Sequence, residues 1–263
     1  SIIKKNKVSI FFGVPTLYAA MLNNTLLVRD FSTLRLSVSA GEALPEHLCK
    51  KWHKLIGTKV LDGIGSTEML HIFISNNINE ITPGSSGRPV PGYEVRLMRE
   101  DGKEANTDEI GELEVKGPTT AISYWNKPEK SKNTFKGKWT RTGDKYTKDK
   151  RGIFKYCGRA DDMMKVSGQY VSPFEIEEAL LSHPNVLEAA VVGKKDKDSL
   201  LKPKAFVVLN KTYEKKMLIE KNLTLHIKKT LMPFKYPRWY EFVSSLPKTA
   251  TGKIQRYKLR ISE

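Results

Sequence analysis

The chain has 263 residues, 39% of them hydrophobic and 9% aromatic, so we expect a packed core and exclude global disorder. Its two cysteines, Cys49 and Cys157, and five histidines have no metal-ligand or disulfide-framework spacing, and no apolar run approaches the roughly 18–20 residues of a membrane span. The net charge of +16 is spread along the chain and dominated by lysine, which favours a solvated basic surface that attracts polyanions over a nucleic-acid-binding stripe.

The first 83 residues alternate between short apolar strands and helices. Strands are predicted over residues 8–12, 34–39 and 59–61, and helices over residues 17–22, with Thr16 as the cap, and 45–56. Two of the strands lead into glycine-bearing turns. Because such a turn presents backbone N–H groups to a nucleotide, the pattern indicates a parallel α/β sheet with ligands at its strand ends.

From residue 84 the pattern changes, because glycine and proline separate short alternating runs such as residues 93–98 and 112–116. Such a pattern predicts an antiparallel sheet, which we interpret as a small β-barrel. Helix and strand then mix again in an α+β pattern. The three expected parts are residues 1–83, 84–160 and 161–263.

A joint is predicted around the polar turn from Gly158 to Asp162, which separates two short extended pieces and is interpreted as a hairpin. A helix follows sharply, with Ser172 as N-cap, Pro173 at the first helical position and Glu175 completing a capping box. Buried charge at this turn would be costly, so the turn indicates a surface joint between two folded bodies. An ordinary charged hairpin turn is the alternative.

Several short motifs are weak singly but occur in an order that resembles the adenylate-forming superfamily of acyl-CoA synthetases, peptide-synthetase adenylation domains and luciferases. Finer strings at residues 62–73, 165–168 and 236–243 resemble the benzoate–CoA ligase group of that superfamily. The superfamily motifs are, in order, residues 39–45, Gly65-Ser-Thr-Glu68, Gly111-Glu-Leu, Thr142-Gly-Asp144, Gly158-Arg-Ala-Asp-Asp162 and Pro247-Lys-Thr-Ala-Thr-Gly-Lys253.

The resemblance implies an ATP-dependent, AMP-forming carboxylic acid:CoA ligase that uses ATP, Mg²⁺ and coenzyme A without a tightly bound metal. Asp62 is expected to accept a hydrogen bond from the adenine amine, and Asp144 to accept hydrogen bonds from the ribose hydroxyls. The expected nucleotide-binding residues are Gly41, Glu42, Ala43, Asp62, Gly63, Ile64, Gly65, Ser66, Thr67, Asp144, Tyr156 and Arg159.

The resemblance also implies three catalytic residues. Thr67 is expected to contact the α-phosphate, and Glu68 to hold Mg²⁺, which prefers hard oxygen ligands. Lys253 is expected to bridge the attacking carboxylate and the α-phosphate, where negative charge builds up.

A hinge is expected at Asp161, about which the C-terminal domain swings between the two half-reactions. Lys165, Ser167 and Gly168 are then expected along the pantetheine path, with Phe234 and Lys235 near the coenzyme A nucleotide. Ordinary surface is the alternative for both groups.

The acyl pocket is expected to include Ile64, His71 and Ile72, with benzoate or a related aromatic acid as the first choice and a short or branched aliphatic acid as the second. The alternative for His71 is a buried histidine satisfied by backbone groups. Ile64 replaces the tyrosine that often stacks on adenine, and Ser123 replaces the glycine expected before Tyr124.

The family's Ser/Thr/Gly-rich phosphate loop is missing, and the chain begins at Ser1 without a signal-peptide pattern. We therefore expect a cytoplasmic enzyme of which this is the C-terminal part, poorly soluble and inactive in adenylation on its own. Two alternatives are an adenylation domain that loads a carrier protein, and a basic binding protein or degenerate remnant. A homodimer is left open; nucleic-acid and membrane partners are not expected.

Overall fold

The computed structural model describes residues 2–23, 31–210, 216–249 and 252–261. The chain divides into two compact units, Ser1–Tyr156 and Cys157–Glu263. They are called the first and the second unit.

The first unit begins with a sheet in the order β1-β2-β3-β4-β5. Strands β1, β2 and β3 are parallel, whereas β4 and β5 are antiparallel to their neighbours, so the predicted parallel α/β arrangement is confirmed for the first three strands. The elements are α1 (Ile2–Lys5), β1 (Ile10–Gly13), α2 (Pro15–Asn23), β2 (Leu36–Ser39), α3 (Glu46–Ile56), β3 (Val60–Gly65), β4 (Ile72–Ser75) and β5 (Arg88–Pro89).

Helix α2 begins at Pro15, so the prediction that Thr16 caps this helix is wrong. The fixed φ of proline suits the first helical position, and the carbonyl of Val14 accepts the first helical hydrogen bonds. An aromatic cluster then joins α2 to α3. The ring of Tyr18 meets that of Trp52 edge-on at 4.7 Å, and the Tyr18 hydroxyl donates to the carbonyl of Val38 on β2.

The second sheet of this unit has the strand order β10-β9-β7-β6, with β8 paired to β9. The predicted barrel region is therefore an antiparallel sheet with β10 and β6 at its ends. Buried Leu113, Val115 and Tyr146 of this sheet pack against Phe73 and Ile74 of β4. The elements are β6 (Glu94–Met98), β7 (Gly111–Lys116), α4 (Pro128–Thr134), β8 (Phe135–Lys136), β9 (Trp139–Lys148) and β10 (Phe154–Arg159).

The second unit is an α+β layer around a sheet in which β13 and β14 are antiparallel and β15 is parallel to β14. Helices α5 and α6 cover one face through residues such as Ile176 and Leu223, while Leu259 of α7 packs on the other. The mixed α/β and α+β fold class is thus confirmed. The elements are β11 (Met164–Val166), β12 (Gln169–Val171), α5 (Pro173–Leu181), β13 (Val186–Lys195), β14 (Leu201–Leu209), α6 (Lys216–Thr230), β15 (Trp239–Phe242) and α7 (Arg256–Ile261).

The two extended pieces beside the polar turn exist as β10 and β11, but the hairpin interpretation is wrong. Strand β10 belongs to the sheet that contains β9, whereas β11 pairs with β12. The predicted helix start is confirmed, because the N–H of Glu175 donates to the Ser172 hydroxyl at 3.1 Å and Pro173 opens α5. The capping box is not completed as predicted, because the carboxylate of Glu175 is directed to Lys235, from which it accepts two hydrogen bonds.

Candidate active site

The carboxyl ends of β2 and β3 lie side by side in the first unit, because Ser39 and Asp62 are register partners. Strand β2 continues into a turn in which Gly41 has a φ of +96°, a conformation that favours glycine. The N–H of Leu44 then reaches back to Asp62 Oδ2 at 3.4 Å. The two predicted nucleotide-binding turns are thereby held at one edge of the sheet.

The Asp62 carboxylate is buried at this edge, and its Oδ1 atom has no hydrogen-bond partner among the described residues. Burial raises the pKa of Asp62 to about 8, although the N–H of Leu44 opposes the shift. A buried polar oxygen without a hydrogen-bond partner is costly. The adenine amine expected at this position would supply the missing donor, so the site fits the base of a nucleotide.

Two glycines after Asp62 are required by the packing of β3 on β4. A Cβ atom at Gly63 would lie 2.7 Å from the carbonyl oxygen of Ile74, and one at Gly65 would lie 2.5 Å from that of His71. Sequence reasoning assigned both glycines to the nucleotide. The structure supplies a separate reason for them, and their contact with a nucleotide stays a prediction.

The expected phosphate-binding turn is strained. A short 3₁₀ helix spans Thr67–Met69, and the N–H of His71 then donates to the carbonyl of Met69 at 2.8 Å. The residue between them, Leu70, has φ +67° and ψ −42°, which makes a γ-turn of the rare positive-φ type. Such conformations cost roughly 1–3 kcal/mol and cluster at functional sites.

The Glu68 side chain is held by a tyrosine that sequence reasoning did not assign to the site. The Tyr124 hydroxyl donates to Glu68 Oε1, and the N–H of Ala121 donates to the Glu68 carbonyl at 2.8 Å. Partial burial raises the pKa of Glu68, but the hydrogen bonds around it, led by that from Tyr124, outweigh burial and hold the pKa below its usual value. Glu68 is therefore ionised at neutral pH.

An ionised Glu68 fits a magnesium ion carried by phosphates. Within the described ranges, no three His, Cys, Asp or Glu residues form a group that could hold a metal ion. Mg²⁺ commonly takes one or two carboxylates together with substrate phosphates and water. Glu68, with the exposed Thr67 beside it, matches that donor set.

The Thr142-Gly-Asp144 motif lies inside strand β9. The pairing of β9 with β7 shifts between Glu112 and Glu114, and Gly143 has a φ of +72°, as in a β-bulge. The N–H of Asp144 donates to the Thr142 hydroxyl at 3.1 Å. Bulges commonly re-aim a side chain beside an active site.

The three expected acyl-pocket residues differ in exposure. Ile64 and Ile72 are half-buried, whereas His71 is exposed in the first unit. The alternative of a buried, backbone-satisfied His71 is therefore wrong. The contribution of all three residues to an acyl pocket stays a prediction.

The second unit presents Ser167 and Gly168 at the tip of the β11–β12 hairpin. Both have positive φ, +51° and +78°, as the two central residues of a type I′ turn require. Lys165 lies over the ring of Tyr170 in the same hairpin, and Lys235 is paired with Glu175. Their predicted contacts with coenzyme A remain untested, as do those of the half-buried Phe234.

The loop that carries Lys253 is a narrow hairpin of the second unit. Lys248 and Ile254 form an antiparallel bridge, and Thr249 exchanges hydrogen bonds with Lys253 at 2.9 and 3.1 Å. An ion pair of 2.6 Å joins Lys248 to Glu188 on β13. Lys253 is exposed on this anchored loop, and residues 250–251 lie outside the described part. Arg159 and Asp161 are also exposed residues of the second unit.

Two protein-family models match the chain. The model of the AMP-binding enzyme matches residues 1–125, and that of the AMP-binding enzyme C-terminal domain matches residues 175–253. The chain belongs to the AMP-binding enzymes. The superfamily recognised from the order of the motifs is thus confirmed.

Among curated relatives, benzoate–CoA ligase of Thauera aromatica is 55% identical over 260 residues, covering 98% of this chain and 49% of that relative. The 4-hydroxybenzoate–CoA/benzoate–CoA ligase of Rhodopseudomonas palustris is 49% identical over 258 residues, covering 96% and 47%. The crystal structure of the anthranilate CoA ligase AuaEII in complex with anthranoyl-AMP is similar with a TM-score of 0.95 and 48% identity, covering 100% of this chain and 51% of that one.

The resemblance to the benzoate–CoA ligase group is confirmed by these relatives. The chain spans about half the length of the curated relatives it matches. Among the described residues, the structure contains no helix with the length and apolar character needed to cross a membrane.

Proposed function

We propose that this chain contributes to an ATP-dependent, AMP-forming ligase that joins benzoate or a related aromatic acid to coenzyme A. The observation that carries the proposal is the 55% identity with a benzoate–CoA ligase over 98% of the chain. A cytoplasmic setting belongs to the same proposal, and the low cysteine content, two in 263 residues, supports it.

In the first half-reaction, a carboxylate oxygen of the acid attacks the α-phosphorus of ATP, and the bond to the pyrophosphate oxygen breaks. Asp62 and Asp144 would hold the adenine and the ribose, while Thr67 would contact the α-phosphate. Mg²⁺ bound through Glu68 would supply positive charge at the phosphates. The Lys253 ammonium would add a point charge where the two substrates meet. Catalysis would then rest on positioning and charge stabilisation.

In the second half-reaction, the thiolate of coenzyme A attacks the acyl carbon, and the acyl–phosphate bond breaks to release AMP. The turn formed by Ser167 and Gly168 is proposed to border the pantetheine arm. Phe234 and Lys235 would lie near the coenzyme A nucleotide. Asp161 is proposed as the hinge about which the C-terminal domain swings. The swing would offer the Lys253 loop to the first half-reaction and this turn to the second.

An aromatic acid is favoured over an aliphatic one by the relatives of this chain. The apolar, half-buried side chains of Ile64 and Ile72 could line the pocket for either kind of acid. The matched ligase structure carries an aromatic acyl-AMP.

The experiment uses a fusion protein in which residues 1–263 follow the N-terminal half of the Thauera aromatica benzoate–CoA ligase. That half supplies the part of the relatives that this chain does not span. This protein is called the completed enzyme. Pyrophosphate release and thioester formation are measured with benzoate, hydroxybenzoates, anthranilate and aliphatic acids, with and without coenzyme A. We expect benzoate-type acids to be preferred, with a thioester formed when coenzyme A is present.

Two results would contradict the proposal. One is transfer of the acyl group to a phosphopantetheinyl carrier protein but not to coenzyme A. The other is a preference for aliphatic acids. The 263-residue chain alone is assayed in parallel, and we expect it to release no pyrophosphate.

A further inference from the structure

We infer that Tyr124 is a positioning residue for Glu68: the phenol of Tyr124 holds one carboxylate oxygen of Glu68, so that the other would be available to a magnesium ion carried by phosphates. This inference rests on the proposed function, since it concerns the same nucleotide site. Tyr124 lies 56 positions after Glu68 in the chain, and the contact exists because the segment of residues 117–125 folds over the turn at Thr67–Met69.

The Tyr124 ring is held in place by α4 and its flanks. The Nζ atom of Lys130 lies 4.3 Å from the ring centroid, and the ring of Phe135 lies 5.4 Å away. The backbone N–H of Tyr124 donates to the Ser131 hydroxyl at 2.9 Å. A hydroxyl on so constrained a ring has a fixed direction, which is what orienting a carboxylate requires.

Residues 117–125 also hold the backbone of the turn through two hydrogen bonds that do not involve Tyr124. The N–H of Ala121 donates to the Glu68 carbonyl at 2.8 Å, and the Thr119 hydroxyl donates to the Met69 carbonyl at 2.6 Å. These two bonds fix where the turn lies. They do not fix the Glu68 side chain, which the Tyr124 hydroxyl reaches directly.

A phenol suits this task because it is neutral. An arginine or lysine paired with Glu68 would cancel the charge that attracts a cation, whereas a hydroxyl occupies Oε1 and leaves the carboxylate charged. Groups that orient a metal-binding carboxylate typically change metal affinity by about 10–100-fold when they are removed. That range sets the size of the expected effect.

The test compares Tyr124→Phe with Tyr93→Phe in the completed enzyme. The Tyr93 hydroxyl lies 2.8 Å from that of Thr119, so it anchors the same segment without contacting Glu68. Binding of Mn²⁺ in the presence of a non-hydrolysable ATP analogue is followed by electron paramagnetic resonance, and the Mg²⁺ concentration for half-maximal activity is measured separately. We expect the Mn²⁺ dissociation constant and the half-maximal Mg²⁺ concentration to rise about 10–100-fold in Tyr124→Phe and less than about twofold in Tyr93→Phe.

A second test of the same contact changes Glu68 instead of Tyr124. Glu68→Asp shortens the carboxylate arm, so Tyr124→Phe should add little to its effect if the two residues act as one unit. Unchanged Mn²⁺ binding in Tyr124→Phe, or equal losses in Tyr124→Phe and Tyr93→Phe, would overturn the inference and leave the proposed function standing. Wild-type Mn²⁺ binding in Glu68→Gln would overturn the assigned role of Glu68 itself and, with it, the inference.

Discussion

Arg256 and Glu177 form a two-bond ion pair in the interior of the second unit. The Nε and Nη2 atoms of Arg256 donate to the two carboxylate oxygens of Glu177 at 3.0 and 2.6 Å, and the N–H of Val191 donates to the same carboxylate at 2.8 Å. Glu177 is only 4% exposed. The pair therefore ties α7, three residues after Lys253, to α5 and β13.

Breaking this pair should loosen the second unit locally. Arg256→Met removes the guanidinium but keeps an apolar stem, and we expect a loss of about 3–5 kcal/mol, because the Glu177 charge would remain buried without its partner. Hydrogen exchange of the α5 and β13 amides in the completed enzyme is the measurement. Arg151→Met, which breaks an exposed pair with Asp149, is the control and should change stability by less than about 1 kcal/mol. Equal exchange in both variants would contradict the expectation.

Lys253→Ala should slow the first half-reaction and leave the second nearly unchanged. Because the Lys253 loop is anchored through Lys248 and Thr249, truncating the exposed side chain removes a charge without releasing the loop. We expect acyl-adenylate formation to fall about 10²–10³-fold, as for the loss of one preorganised stabilising group. Thioester formation from supplied benzoyl-AMP should stay within about threefold, since Lys253 has no assigned role in that step. Lys258→Ala, an exposed lysine on α7, is the matched control and should leave both rates unchanged.

Much of the fold is local and could be read from the sequence. The alternating apolar residues at positions 34–39 predicted β2, and Ser172 with Pro173 predicted the start of α5, because these signals act within a few residues. The hairpin interpretation at residues 158–162 failed because pairing partners of β10 and β11 lie elsewhere in the chain. The bulge at Thr142-Gly-Asp144 is not visible in the sequence for the same reason, since a bulge depends on the register with β7.

In the candidate site, too, local features are predictable from the sequence and contacts between distant residues are not. Asp62 and Glu68 were reached through motif spacing on one strand and the turn that follows it. Tyr124 was noticed only for the serine before it, because a hydrogen bond across 56 positions leaves no periodic signal. The pKa shift of Asp62 was likewise invisible, since it arises from burial that only the folded sheet creates.

Gly65→Ala should disturb the phosphate-binding turn without adding a polar group. Its Cβ atom would lie within 2.8 Å of backbone atoms of His71 and Ile72, which cannot rotate away as a side chain can. We expect a loss of about 1–3 kcal/mol in the stability of the first unit, together with weaker nucleotide binding. Gly193→Ala is the matched control in a strand, because its new methyl group would meet only the flexible side chain of Leu201. Equal shifts in the thermal midpoint of the two variants would rule out the backbone contact as the reason for glycine.

The raised pKa of Asp62 makes the stability of the first unit depend on pH. In the unfolded chain this carboxyl group ionises near pH 4, whereas in the folded unit its pKa is about 8, so between these values only the folded form keeps the proton. The contribution is therefore full below about pH 4 and is lost as the pH rises toward 8, by about 1.4 kcal/mol per pH unit. Asp62→Asn should remove this slope in urea unfolding of the completed enzyme, followed by tryptophan fluorescence. Parallel slopes for the two proteins would refute the shift.

Nucleotide binding should lower the raised pKa of Asp62. A donor against Asp62 Oδ1 favours the ionised carboxylate, so the base should lower the pKa and expel the proton that Asp62 holds at pH 7. Calorimetric titration of the completed enzyme with an ATP analogue, in buffers of different ionisation enthalpy, measures the protons released. We expect Asp62→Asn to release up to one proton fewer per nucleotide than the wild type at pH 7, with the difference vanishing above about pH 9. Equal proton release in the two proteins at pH 7 would mean that no donor of the nucleotide meets Asp62, and the adenine would then have to be held by other groups.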